Sequence, residues 1–286
     1  MPFSFSKIWE QLRFFYGLTH RAESIYAILA KQYREQTLAA EKALDPKTIT
    51  AYGFSGYSQS DEDGILEEIY RRIGTTNRSF VGFGCNTGVE NDSVYLLLTG
   101  WTGLWMDADE ANVANVRRLY PEHLKSGLLK LKQAFITREN INDLIADAQL
   151  PHEIDLLHID IDGNDYWVWE AINVVSPRVV LIEYNATFRP PVAIVQKYDP
   201  NYRANFSNYY GASLKALELL GRKKGYSLVG CSFTGVNAFF VRDDLVGDLF
   251  SAPFTAEHHF REANYDSFVR GYRSHRKDIG PYQLVD

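Results

Sequence analysis

The chain has 286 residues, of which 45% are hydrophobic and 23% charged, and its formal net charge is −6. The apolar content supports a buried core, and the mild negative charge argues against a protein that relies on broad electrostatic attraction to nucleic acid. The two cysteines, Cys85 and Cys231, have neither disulfide-framework nor zinc-ligand spacing, so a reducing cytoplasm is expected. The sequence contains no apolar run long enough to cross a bilayer.

Residues 1–50 predict an N-terminal extension of two helices, which ends at Asp45 and Pro46. Four apolar residues share one face of the second helix, namely Ile25, Ile28, Leu29 and Tyr33. We expect the extension to pack on the main domain or on a partner subunit, as in a homodimer. A peripheral contact of the first helix with a membrane stays open.

From Ser79 onward the predicted strands and helices alternate, which indicates a parallel sheet with helices on both faces. The helix before them begins at SDEDG, with Ser60 as the expected N-cap. The last two strands, SLVGCSF and NAFFVR, are too close for a crossover helix and predict an antiparallel hairpin at one edge. We therefore expect an α/β domain over 51–246, with an irregular insert over 186–211 and a C-terminal tail over 247–286.

In such a sheet, ligands bind beyond the carboxyl ends of the strands, so the residues at those ends carry the functional information. After the first strand comes FVGFGCNTGVEN, in which Gly84 and Gly88 would let the backbone pass close to a cofactor. The spacing is not the dinucleotide G-x-G-x-x-G, so a pyrophosphate is disfavoured. The alternative is a tight turn between a strand and a helix.

The second strand ends at Asp107, followed by Asp109, and a carboxylate there can accept hydrogen bonds from both ribose hydroxyls of an adenosine. A solvated strand end is the alternative. After the third strand, Ala134 and Phe135 are placed to flank an adenine, although a phenylalanine is also an ordinary core residue.

After the fourth strand, Asp160, Asp162 and Asp165 crowd one strand end, and such carboxylates repel each other unless a positive group joins them. Glu183 and Asn185 follow the fifth strand. Asp160, Glu183 and Asn185 are oxygen ligands suited to Mg²⁺, while helix capping and turn formation are the alternative. His158 is expected in the sheet. The insert is rich in aromatic residues that predict either a lid or substrate wall or ordinary packing: Tyr198, Tyr202, Phe206, Tyr209 and Tyr210.

Six segments together resemble S-adenosylmethionine (SAM)-dependent methyltransferases of the FkbM-like kind, which have a Rossmann-like class I fold. They are YSQSDEDGIL, FVGFGCNTGVENDS, GWTGLWMDAD, LLHIDIDGNDYWVWEA, VVLIEYN and GASLKALELLGRKKGYSLVGCSFTGVNAFFVRDDL. They occur in the same order, and the N-terminal helices and the tail are not covered. The resemblance implies methyl transfer from SAM to a hydroxyl, often of a sugar in polysaccharide or glycolipid synthesis, with the insert on the substrate side.

For the site, the resemblance implies the methionine end of the cofactor at Gly84 and Gly88, its ribose at Asp107, and Asp160 beside the reacting methyl group. The other implied cofactor contacts are Gln59, Asp61, Gly82, Asn91, Ala134 and Phe135. Deprotonation of a small-molecule or glycan acceptor is expected from Asp160 or Asp162, with or without Mg²⁺.

One position departs from the family pattern, in which an acidic residue near the end of the first strand helps to orient the cofactor's ammonium group. Here that position is Gly82. We expect Asp61 or Asp63 to supply the missing charge. If neither does, the chain is an inactive relative that keeps the fold as a binding or scaffold subunit. A nicotinamide or nucleotide-sugar enzyme is the third interpretation, which the terminal hairpin and the glycine spacing disfavour.

Overall fold

A seven-stranded sheet lies at the centre of the computed structural model, which describes residues 5–205, 207–264 and 282–284. Its strands are β1 (Ser79–Phe83), β2 (Thr102–Asp107), β3 (Leu129–Gln133), β4 (Glu153–Ile159), β5 (Ser176–Glu183), β7 (Tyr226–Cys231) and β8 (Asn237–Arg242). Their order is β3-β2-β1-β4-β5-β8-β7, with β1 to β5 parallel and β8 antiparallel to both neighbours. This confirms the predicted mostly parallel, Rossmann-like sheet and its terminal antiparallel hairpin.

Helices cover both faces of the sheet because successive residues of a strand point to opposite sides. In β1, Val81 and Phe83 belong to one core and Phe80 to the other. The helices are α1 (Phe5–Leu44), α2 (Glu62–Ile73), α3 (Val94–Leu98), α4 (Glu110–Leu119), α5 (Pro121–Ser126), α6 (Ile141–Ala146), α7 (Asp165–Ala171), α8 (Leu214–Lys224), α9 (Asp243–Val246) and α10 (Ala256–His259). Buried side chains of α6, α7 and α8 pack on the first face, and those of α2 and α3 on the second.

The N-terminal extension contains one helix of 40 residues rather than the two helices predicted. Gly17 does not interrupt this helix. A lone glycine in a helix interior costs only about 1 kcal/mol relative to alanine, which a helix can tolerate. Each side chain of the predicted apolar face is more than half exposed, namely Ile25, Ile28, Leu29 and Tyr33. The face is thus largely open to solvent, although the Tyr33 ring lies 6.3 Å from that of Phe233 in the main domain. A homodimer contact stays a prediction. Among the described helices, none combines the length and apolar character needed to cross a membrane.

The insert over 186–211 is not wholly irregular, since it contains the short strand β6 (Ile194–Gln196). This strand pairs antiparallel with β9 (Tyr282–Leu284) of the tail. A strand of three residues is too short to show the alternation that identifies strands in a sequence. The tail residues 265–281, 285 and 286 lie outside the described part of the chain, as does Phe206 of the insert.

The turn after β1 brings its backbone against the end of β4. Gly84 has a φ of +66°, and a Cβ atom there would lie 1.7 Å from the carbonyl oxygen of Asp160. The next loop glycine, Gly88, has a φ of +73°, and its Cβ would lie 2.7 Å from Val116 Cγ2. Both glycines are therefore required by the packing of the loop itself, whatever the loop binds.

We expect Gly84→Ala to destabilise the protein more than Gly100→Ala does. Gly100 also has a positive φ, +90°, but a Cβ atom there meets nothing within 4 Å. The control variant therefore carries only the conformational cost of about 1–2 kcal/mol, whereas Gly84→Ala adds a clash with backbone. Urea unfolding measures both free energies of unfolding, and equal losses would contradict the close approach.

Candidate functional site

A cavity of about 780 Å³ lies beyond the carboxyl ends of the parallel strands. Its lining includes Gly84 after β1, Asp107 at the end of β2, Asp160 after β4 and Glu183 at the end of β5. The sheet order places β1 beside β4, which is the switch point at which open α/β sheets bind ligands. The volume is that of a typical small-molecule site.

The cavity gathers most of the predicted cofactor residues. Seven of the ten line it: Gln59, Gly84, Asn91, Asp107, Ala134, Phe135 and Asp160. The three that do not are Asp61, Gly82 and Gly88. Asp162, the second predicted proton acceptor, also lines the cavity. The sequence therefore locates the cavity, and the structure decides which side chains reach it.

Asp107 joins the glycine loop to the start of α4. Its Oδ2 accepts a hydrogen bond of 2.8 Å from the backbone N–H of Asn86, and its Oδ1 accepts one of 2.8 Å from that of Asp109. Asp109 in turn caps α4 by accepting from the N–H groups of Ala111 and Asn112. These bonds hold the Asp107 carboxylate in one orientation at the cavity wall.

Neither Asp61 nor Asp63 faces the cavity, contrary to the expectation that one of them supplies charge there. Asp61 is fully buried, and both of its carboxylate oxygens accept from the N–H of Phe233 at 3.1 Å. It also occupies the N-cap position of α2 that was predicted for Ser60. Asp63 Oδ2 accepts three backbone N–H groups of the preceding turn, those of residues 56–58. Asp61 therefore ties the start of α2 to the loop after β7, and Asp63 holds the turn before α2.

Glu62, between these two acids, lines the cavity instead. Consecutive residues of a helix point about 100° apart, so only one of three successive acids can face a given direction. Glu62 is buried, and its Oε1 accepts a hydrogen bond of 3.0 Å from Asn237 Nδ2. Burial, followed by the charge of Asp61, raises the pKa of Glu62 to about 7.

Asp92, His158 and Asn237 complete a buried polar group on this wall, which sequence reasoning did not find. His158 Nε2 lies 3.3 Å from Asp92 Oδ2, and Asn237 Nδ2 lies 3.4 Å from the same oxygen. Burial lowers the pKa of His158 to about 4, so its ring is neutral at neutral pH. Asn237 is the first residue of β8 and pairs with Glu183 of β5. The antiparallel direction of β8 thus brings its start to the functional edge of the sheet.

A second acidic cluster consists of Asp160, Asp162 and Glu183. Each offers a carboxylate oxygen, and these atoms lie within 4.8 Å of one another. Glu183 is 8% exposed, and its Oε2 is buried without a hydrogen-bond partner among the described residues. Burial, and then repulsion from the neighbouring carboxylates, raises the pKa of both Asp160 and Glu183. The arrangement suits a cation.

Asn185, predicted as a metal ligand, is not part of this cluster. Its side-chain Nδ2 donates to the carbonyl oxygens of Asn208 and Tyr210, each at 2.9 Å, and its Oδ1 accepts from the N–H of Thr187 at 3.1 Å. The amide therefore anchors the insert to the end of β5, and Asp162 takes the third place in the cluster.

The insert covers part of the cavity with Tyr202, Arg203 and Ala204. Tyr202 donates a hydrogen bond of 2.7 Å to the carbonyl oxygen of Tyr209. The Arg203 guanidinium lies 4.7 Å from the centroid of the Phe135 ring, a cation–π distance. Of the predicted lid aromatics, Tyr202 is thus placed at the cavity.

No family model and no curated protein matches the chain. Several solved structures are similar to it. The N-terminal domain of EvdMO1 with S-adenosylhomocysteine (SAH) bound is 14% identical, with a TM-score of 0.41, over 73% of this chain and 94% of that one. WbdD is 16% identical, with a TM-score of 0.38, over 66% of this chain and 40% of that one. An O-methyltransferase family protein from Burkholderia thailandensis is 12% identical, with a TM-score of 0.40, over 71% of this chain and 62% of that one. At these identities the similarity concerns the fold alone.

Proposed function

We propose that the chain is a SAM-dependent O-methyltransferase of the FkbM-like kind, acting in the cytoplasm on a sugar hydroxyl in polysaccharide or glycolipid biosynthesis. The observation that carries the proposal is the acid-lined cavity beyond the carboxyl ends of the parallel strands. It combines a glycine turn, a fixed carboxylate at the end of β2 and a carboxylate cluster at the ends of β4 and β5.

The charge of the cavity favours SAM over a nicotinamide dinucleotide. SAM carries a sulfonium and an ammonium cation beside a single carboxylate, so its charge is complementary to an acidic lining. The pyrophosphate of a nicotinamide dinucleotide is anionic and would be repelled. Nine of the lining residues are acidic: Glu62, Glu90, Asp92, Asp107, Asp109, Glu110, Asp160, Asp162 and Glu183.

In the proposed complex, Asp107 accepts hydrogen bonds from the ribose hydroxyls. The N–H of Ala134 donates to the Asp107 carbonyl oxygen at 2.9 Å, which ties the adenine region to the ribose region. Ala134 and Phe135 flank the adenine, with the Arg203 guanidinium near the same ring. The methionine end then lies towards the glycine turn and Asn91.

Methyl transfer requires the donor, the acceptor oxygen and a proton acceptor in one place. The acceptor oxygen attacks the methyl carbon, the bond from that carbon to sulfur breaks, and SAH leaves as a neutral thioether. The hydroxyl proton passes to the carboxylate of Asp160 or Asp162. Tyr202 offers an aromatic face on the insert side, where its ring lies so near Gly163 that a Cβ there would be 2.5 Å from it.

The cluster of Asp160, Asp162 and Glu183 fits a divalent cation, and we include Mg²⁺ in the proposal. Carboxylate oxygens are the ligands that Mg²⁺ prefers, and the buried Glu183 Oε2 has no hydrogen-bond partner among the described residues. A cation held there would polarise the acceptor hydroxyl and lower its pKa.

We expect Asp107→Ala to weaken SAH binding at least about tenfold, because it removes a hydrogen-bonded carboxylate from the cavity wall. Isothermal titration calorimetry measures the dissociation constants of the wild type, of this variant and of the exposed-site control Glu122→Gln, which should bind as the wild type does. A thermal unfolding scan shows whether the variant stays folded. Absence of SAH binding to the wild type would overturn the proposal in favour of a binding or scaffold protein.

We expect Asp160→Asn to abolish methyl transfer while SAH binding persists, because Asp160 is the proposed acid beside the reacting methyl group and an amide there cannot accept the hydroxyl proton. Turnover is measured as SAH formed from SAM with a panel of hexose and deoxyhexose glycosides, and binding by calorimetry. Wild-type turnover in Asp160→Asn would contradict the assigned role.

We expect the wild type to bind Mn²⁺, used as a spectroscopic substitute for Mg²⁺, and Glu183→Gln to bind it at least about tenfold more weakly, since one charged ligand is lost. Electron paramagnetic resonance of free Mn²⁺ gives both affinities without an activity assay. Glu122→Gln serves as the charge-matched control. Equal Mn²⁺ binding by the wild type and Glu183→Gln would remove the metal from the proposal.

A further inference from the structure

The position of the missing strand-end acid is filled by neutral groups. A Cβ atom on Gly82 would lie 3.2 Å from Trp105 Cδ1 and 3.4 Å from Ser93 Oγ. Trp105 Nε1 donates to Ser93 Oγ at 2.7 Å, and Ser93 Oγ donates to Asn91 Oδ1 at 2.6 Å. A Cβ atom at position 82 would therefore meet Trp105 closely, and because residue 82 is a glycine, a carboxylate for the cofactor has to come from another element.

Two independent observations place Asp92 beside Gly82. It precedes Ser93, whose hydroxyl occupies the space next to Gly82. It also contacts His158 at 3.3 Å, and His158 is the residue of β4 that pairs with Gly82. Asp92 is 5% exposed and lines the cavity. The loop after β1 thus places the Asp92 carboxylate near the position that a strand-end acid would occupy.

Glu62 reaches the same place from the first turn of α2. The amide nitrogen of Asn237 lies 3.0 Å from Glu62 Oε1 and 3.4 Å from Asp92 Oδ2, so a single neutral amide serves both carboxylates. Glu62 Oε2 also accepts a hydrogen bond from the N–H of Ser60, and the neutral ring of His158 lies against Asp92. Two carboxylates sharing one amide leave lone pairs that an additional donor could use.

We propose that Glu62 and Asp92 together bind the α-ammonium group of the cofactor, in place of the strand-end carboxylate that Gly82 lacks. The inference rests on the proposed function, because the ammonium belongs to the methionine end of SAM. An ammonium group presents three N–H donors and one positive charge, which matches two adjacent carboxylates on a buried wall. Both residues line the cavity together with Gln59, Gly84 and Asn91, at the end where the glycine turn lies.

A double comparison of proteins and ligands tests the assignment. The ligands are SAH and 5′-methylthioadenosine, which keeps the nucleoside and the thioether but has no ammonium group. The proteins are the wild type, Glu62→Gln, Asp92→Asn and the control Glu122→Gln, which removes one charge from an exposed residue outside the cavity. We expect Glu62→Gln and Asp92→Asn to lose about tenfold or more in SAH affinity and to bind 5′-methylthioadenosine as the wild type does. Glu122→Gln should bind both ligands as the wild type does.

The outcomes separate this inference from the proposed function. SAH binding by the wild type with undiminished binding by both variants would overturn the ammonium site and leave the methyltransferase proposal standing. No SAH binding by the wild type would overturn both. If either variant fails to fold, the wild type is titrated with an SAH analogue that lacks the amino group. An affinity about tenfold or more below that for SAH supports the site, and an equal affinity overturns it.

Discussion

Repulsion among the carboxylates that share one cavity is the constraint on which the rest of the site depends. Asp92, Asp160 and Glu183 lie at one edge of the sheet, where burial and then the neighbouring acids raise the pKa of each carboxyl. The fold offsets part of this cost with neutral partners, such as the shared amide of Asn237. The remaining imbalance favours positive charge in the cavity, and under the proposed function the sulfonium and ammonium of SAM and a divalent cation would supply it.

The topology of the sheet explains why so many polar groups meet there. Parallel strands end at one edge, which gathers Asp107, Asp160 and Glu183 from β2, β4 and β5. The antiparallel strand β8 brings its beginning to the same edge, so Asn237 pairs with Glu183. A parallel strand in that place would bring its carboxyl end there instead. The antiparallel strand β8 thus contributes a residue to the site in addition to closing the sheet.

Strand-end reasoning predicted the cavity residues that follow directly from an element's boundary. Apolar runs marked β1, β2, β4 and β5, and the polar residues after them, including Asp107 and Asp160, line the cavity. The family resemblance led to Asp61 and Asp63 rather than Glu62, because the sequence alone does not show which of three adjacent acids faces the cavity. Strand-end reasoning assigned Asn185 to a metal, although its amide holds the insert.

By itself, the sequence determined the alternation of strands and helices, the hairpin that closes the sheet and the strand ends that line the cavity, because these follow from local periodicity and chain direction. Only the tertiary structure decided which side chains share the cavity. Glu62, Asp92 and Asn237 come from three elements far apart in the chain, and their contacts depend on how α2, the loop after β1 and β8 pack on one another. Local pattern carries no information about that packing, since it is set by the shapes of surfaces that meet only in the folded chain.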